Sequence, residues 1–234
     1  MKLLILLTAI GFSLPLHAAS QPRDVELSFY CLQYAPGIET IHVPRSKGFD
    51  AVRLSTANLT TPSTVTLVDD QATILTDPAT TAVAATIKVP AEIQKGLIVL
   101  VPDASGTGKA YRSLVIDRGD KFPLGTYRLV NFSRQSIRGA IGTKFLQVAS
   151  GGMADLALEG DPGTVQGVRF EFEKEGRWNR LTETRCAVRK DRRWLLLIFP
   201  DPASGRINMR SIPDRSNLLV PEAAEDPALA TAAH

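Results

Sequence analysis

The chain has 234 residues, 44% of them hydrophobic and 22% charged, with a net charge of +3. It has room for one large or two small domains. Its three histidines and two cysteines argue against a His-built zinc centre or a Ser-His-Asp triad, and no apolar run approaches the length of a membrane-crossing helix.

The first residues, "MKLLILLTAIGFSLPLHAAS", have the layout of a secretory signal over 1–19. Lys2 supplies the positive end, Leu3 to Leu16 the apolar stretch, and Ala18 and Ala19 the small-residue cleavage region. The expected destination is the periplasm or the extracellular space. No cysteine follows the apolar run to carry a lipid.

From there the text is strand-like. Runs rich in Val, Ile, Thr, Tyr and Phe, bounded by Pro, Gly, Asn and Asp, predict strands near 25–34, 38–44, 49–54, 62–68, 71–76, 84–89, 96–101 and 109–116. The same reading predicts 125–132, 135–141, 144–149, 153–158, 165–174, 177–188, 192–199 and 206–212. Only "PAEIQKG" (90–96) offers a helical turn. The continuous runs "LIVLV" and "WLLLIF" suit central strands covered on both faces.

The two sets of strands echo one another. Tyr30 aligns with Tyr127, Leu32 with Leu129, Lys47 with Lys144 and Leu59 with Leu156. Near the other end Pro102-Asp103 matches Pro200-Asp201, and Arg112-Ser113 matches Arg210-Ser211. Ordered matches at a nearly constant offset predict an internal duplication. The expected fold is all-β: two tandem immunoglobulin-like β-sandwich domains over 24–119 and 120–216, followed by a disordered acidic, Ala-rich tail over 217–234. The layout resembles periplasmic pilus-assembly chaperones in architecture alone, with no shared motif, which implies two immunoglobulin-like domains in a basic chain of this size.

The repeat decides how "VPDASGTGKAYRS" (101–113) is read. A phosphate-binding loop needs a glycine where Asp103 stands and a hydroxyl where Ala110 stands, with a helix to follow. The matching "PDPASGRINMRS" has no Gly-Lys, so the shared chemistry is that of a turn, and 102–108 is expected to be a hairpin connection.

Other candidates are few. His42 lies alone in a predicted strand. Asp69-Asp70 reads as a solvated turn, because adjacent strand residues point to opposite faces. Cys31 and Cys186, in different predicted domains, either staple them by a disulfide or remain separate thiols. Asn58-Leu59-Thr60 and Asn131-Phe132-Ser133 fit a glycosylation sequon, relevant only in a eukaryotic source. No metal site, cofactor or catalytic motif is expected, and the chain does not read as an enzyme.

Charge is the asymmetric feature. Residues 20–120 carry 9 lysines and arginines against 11 acids, whereas 121–216 carry 17 against 10. The excess centres on "EGRWNRLTETRCAVRKDRRWLL". With 177–188 as a regular strand, Arg177, Arg185 and Arg189 share a face opposite Trp178, Arg180 and Cys186, while Arg192 and Arg193 fall in the next turn. The candidate binding residues are Arg177, Arg185, Arg189, Arg192, Arg193 and Trp178, facing an anionic polysaccharide, a membrane surface or a protein client. The competing expectation is that Glu171, Glu173, Glu175, Glu183 and Asp191 pair with these arginines across strands. Nucleic acid suits neither export nor the motifs present. The function expected is a non-catalytic binding or scaffolding module of the cell envelope. A chaperone-like strand acceptor or donor is the alternative, and a hydrolase on a β scaffold comes last.

Overall fold

The computed structural model describes residues 21–103, 106–119, 121–201 and 204–214. The expected signal segment and acidic tail lie outside the described residues. Sixteen strands form four four-stranded sheets. The first eight are β1 Arg23–Cys31, β2 Thr40–Pro44, β3 Phe49–Arg53, β4 Ser63–Leu67, β5 Gln71–Asp77, β6 Ala82–Lys88, β7 Lys95–Pro102 and β8 Tyr111–Asp117. The second eight are β9 Thr126–Asn131, β10 Ile137–Ile141, β11 Lys144–Val148, β12 Met153–Ala157, β13 Val165–Lys174, β14 Arg177–Ala187, β15 Arg193–Pro200 and β16 Ile207–Asp214. Each strand read from the sequence is present within a few residues of its expected bounds. The "PAEIQKG" segment makes one hydrogen-bonded turn, from Ile93 N–H to the Pro90 carbonyl, and no helix.

The two halves repeat one topology. Sheet order β4-β1-β7-β8 recurs as β12-β9-β15-β16, and β3-β2-β5-β6 recurs as β11-β10-β13-β14. Even the parallel pairing at the centre, β1 with β7, recurs as β9 with β15. The residue correspondence is not the one the aligned tyrosines suggest. Tyr30 pairs with Val99 and faces outward, toward the other half, whereas Tyr127 pairs with Trp194 and faces its own half's core. Topology therefore preserves the repeat better than residue identity does.

Within each half the two sheets pack face to face. Phe29, Ile41, Ile74, Ile87 and Ile98 centre the first core, and Leu129, Ile137, Phe170, Val188 and Ile198 the second. A third core joins the halves. Tyr30, Leu97, Val99 and Ile116 of the first meet Val130, Leu195, Leu197 and Ile212 of the second, with Phe122 from the connection between β8 and β9. The four sheets are therefore stacked, and β7 and β15 lie in the middle of the stack. That is why "LIVLV" and "WLLLIF" lack the alternation of a half-exposed strand.

Polar groups in this joint are paired. Asp214 accepts from Arg118 Nε and Nη2 at 3.0 and 2.7 Å and from Arg193 Nε at 2.8 Å. Arg193 Nη1 also donates to the carbonyls of Arg118 and Phe122. Arg210 of β16 reaches the Tyr30 hydroxyl and the Leu32 carbonyl at 3.0 and 2.9 Å.

The loops behave as turn chemistry requires. Pro102 pairs with Tyr111 and Asp103 N–H bonds the Ala110 carbonyl, with Gly106 and Gly108 at φ +74° and +78°. β7 and β8 thus pair as an antiparallel hairpin, and the residues after Gly108 enter strand β8, not a helix. Asp69 and Asp70 sit at φ 52° and 59° in the turn from β4 to β5, and Asp70 pairs with Arg23 at 2.8 Å. They are turn residues, not a carboxylate dyad. His42 lies in β2 with Nδ1 3.1 Å from the Thr76 carbonyl.

Candidate binding cleft

The arginine-rich strand does not alternate regularly. Phe170 pairs with Thr182, but the next residue, Glu171, pairs with Arg180, so Leu181 is an extra residue on β14. A bulge of this kind reverses the alternation beyond it. Trp178, Arg180, Glu183 and Arg185 therefore share the outer face with Arg138, Arg169 and Glu171, and Arg177 takes the opposite parity, with Asn179. The expected grouping of Arg177 with Arg185 opposite Trp178 is corrected by this one inserted position.

On the outer face the charges are largely matched. Glu171 accepts from Arg138 and Arg169, both at 2.6 Å, and these two guanidiniums hold its carboxyl below the usual carboxylate range. Arg180 lies 3.5 Å from Glu183, and the Arg138 guanidinium stacks 4.3 Å above the Trp178 ring. Arg177 sits at the β13–β14 turn, opposite Lys174. Among the described residues, neither Arg177 nor Arg185 has a carboxylate within ion-pair distance. Arg193 is placed elsewhere altogether. It is 8% exposed, and its guanidinium is spent on Asp214 and two carbonyls in the joint between the halves, out of reach of a ligand from solvent.

The remaining three predicted arginines lie along one cleft, Arg189 and Arg192 at its rim and Arg185 bordering it from the outer-face parity of β14. The open flank between the two sheets of the second half, bounded by edge strands β14 and β16, holds a cleft of about 440 Å³. Arg185, Arg189 and Arg192 line it together with Tyr127, Phe170, Leu196 and Met209. Asp191 bridges Arg189 and Arg192 at 3.0 and 2.7 Å, and these two cations hold its carboxyl far below its ordinary value. Deeper in, the rings of Tyr127 and Trp194 stack at 5.7 Å with 6° between planes. The Tyr127 phenol is pushed up by burial and then by Cys186 beside it. The Trp194 Nε1–H is buried and, among the described residues, is the buried side-chain polar atom with no hydrogen-bond partner.

At the matching flank of the first half the two edge strands are bonded to each other. There β6 carries the small Ala84 and Ala85 into the core, and Ser113 Oγ of β8 donates to the Thr86 carbonyl of β6 at 2.9 Å. In the second half Thr184 and Cys186 of β14 face Met209 and Ser211 of β16 across the cleft. The copies differ where the arginines gather.

Tyr127 and Trp194 are separated by most of the second half and are joined only by the parallel pairing of β9 with β15. Their partnership had no sequence signal. The two cysteines are free thiols, Cys31 buried in β1 and Cys186 half-buried in β14. Burial pushes Cys31 up to about 11. Asn131 of one sequon is fully buried, and its side chain is bonded to the Gln135 and Ala149 carbonyls. Among the described residues no group of three or more His, Cys, Asp or Glu is gathered as a metal site, and no helix is long and apolar enough to cross a membrane. No protein-family model matches this sequence, and no curated protein matches it.

Proposed function

We propose that this is an exported, non-catalytic binding protein of the cell envelope whose second half holds an anionic ligand at the arginine rim of the β14–β16 cleft. One observation carries the reading: Arg185, Arg189 and Arg192 line one open flank, with Asp191 as the carboxylate among them. Arg189 and Asp191 are each about half exposed, and an ion pair at that exposure is worth about 0–1 kcal/mol, so an incoming anion competes with Asp191 for Arg189 at little cost. The face-to-face sheets support two immunoglobulin-like sandwich domains, 24–119 and 120–216, although eight strands and a central parallel pair set the order apart from the seven-strand constant type. The test is binding to polygalacturonate at low and high salt. The expected result is salt-sensitive binding that the R185A/R189A/R192A chain loses. Salt-independent binding, or none, overturns the reading. Export is tested by sequencing the mature N-terminus, expected near Ser20.

A second reading is favoured by the free edges. β14 spans 11 residues at a sheet edge, and such an edge accepts a strand from a client. A stoichiometric partner that protects the β14 amides from hydrogen exchange would support it.

A further inference from the structure

We propose that the cleft takes the apolar body of a single-chain amphipathic carboxylate, an acyl chain whose head is held at the arginine rim. This rests on the anion-binding reading above and names the ligand class. Three features carry it beyond charge alone. The walls between the sheets are apolar and aromatic: Phe170, Leu196 and Met209 with the stacked Tyr127 and Trp194. The volume, about 440 Å³, is at the small end of ligand sites, which suits one chain better than a two-chain lipid. Finally, Trp194 lies two residues after Arg192, and its buried Nε1–H lacks an acceptor among the described residues. Buried donors are almost always satisfied, so an unsatisfied one lining a cleft points to an acceptor that arrives with a ligand. A carboxylate at the Arg192 end offers that acceptor to the indole and a counter-charge to the rim together.

The sequence has two tryptophans, so the full chain carrying W178F reports Trp194 alone. It is titrated with dodecanoate and with 2-bromododecanoate, whose bromine sits beside the carboxylate and quenches indole on contact, at concentrations below micelle formation. The expected result is saturable quenching by the brominated acid, reversed by dodecanoate. Dodecanol should compete at least about tenfold more weakly, and R185A/R189A/R192A should raise Kd at least about tenfold while circular dichroism is unchanged. Polygalacturonate binding without quenching overturns this inference and leaves the anion-binding reading standing. Equal competition by dodecanol and dodecanoate overturns it as well, because the rim would then have no part. Failure to bind either probe overturns both. The tail places Leu218, Leu219 and Val220 before Glu222, Glu225 and Asp226. Quenching that emerges only in the L218S/L219S/V220S chain would assign the cleft to the chain's own tail and overturn the proposal.

Discussion

Arg118 and Asp214, 96 positions apart, meet in a two-pronged ion pair that locks the end of β8 to the end of β16. The pair is buried, with side-chain exposures of 7% and 3%, and Arg193 adds a third charge-assisted bond to the same carboxylate. Removing one partner of a buried pair leaves uncompensated charge, which costs about 3–5 kcal/mol. Asp214→Ala should therefore lower the free energy of unfolding by roughly that amount, measured by urea titration. A loss no larger than that of an exposed ion pair would remove the joint from the list of things holding the halves together.

The same carboxylate sets an acid dependence. Burial pushes the Asp214 pKa up, but Arg118 and Arg193 outweigh it and hold the carboxyl below its ordinary value. A folded-state pKa below the unfolded one contributes stability that is complete above about pH 4 and lost as pH falls through the folded value. Stability should thus fall as pH drops below about 4, and Asp214→Asn should flatten that part of the curve. An unchanged slope in the Asn variant would show that the titration resides in other carboxylates.

Arg210 ties the halves from the middle of β16. Its Nη1 serves the Tyr30 hydroxyl, the Leu32 carbonyl and, at 3.3 Å, the Thr56 carbonyl, while Tyr30 itself donates to Thr56. Hydrogen bonds to a charged group contribute about 1.5–3 kcal/mol, so Arg210→Ala should cost in that range. Arg210→Lys should recover only part of it, because the shorter side chain does not bring its ammonium to the place where Nη1 meets all three oxygens. Full recovery by lysine would mean that charge alone matters there.

Two glycines in neighbouring strands should respond oppositely. A Cβ on Gly139 of β10 would lie 2.1 Å from the Phe170 ring in the second core, whereas one on Gly167 of β13 would meet nothing within 4 Å. Gly139→Ala should destabilise by about 1–3 kcal/mol through overpacking. Gly167→Ala should be neutral or stabilise by a few tenths, since strand glycines carry an entropic cost. Thermal unfolding of the two variants checks both signs at once.

The thiols should remain apart. Native protein treated with an aromatic disulfide reagent should leave Cys31 unmodified, because it is fully buried and its thiol is raised to about 11, and denaturation should expose two thiols per chain. A count of zero in denaturant without reductant would demonstrate the disulfide that the fold does not contain.

Strand positions were legible because each is a local matter. Alternation, β-branched residues and turn residues at Asp69-Asp70 or Gly106 express themselves within a few neighbours, and the chain states them directly. The repeat was legible for the same reason, through Pro-Asp turns kept in both copies, while the tyrosine alignment failed because a matching letter does not fix which face of a strand a residue takes. The bulge at Leu181 was illegible. It is defined by the partner strand β13, and its one extra residue decided which arginines share a face with Trp178.

By itself, then, the sequence determined the all-β class, the sixteen strands, the doubling of the unit and the concentration of positive charge in the second half. The tertiary structure alone decided that Arg193 is consumed by Asp214 between the halves, that Tyr127 lies against Trp194, and that Arg185, Arg189 and Arg192 line an open cleft. The physical reason is range. Backbone preference and alternation act over neighbouring residues, whereas which guanidinium meets which carboxylate depends on sheets brought together from opposite ends of the chain.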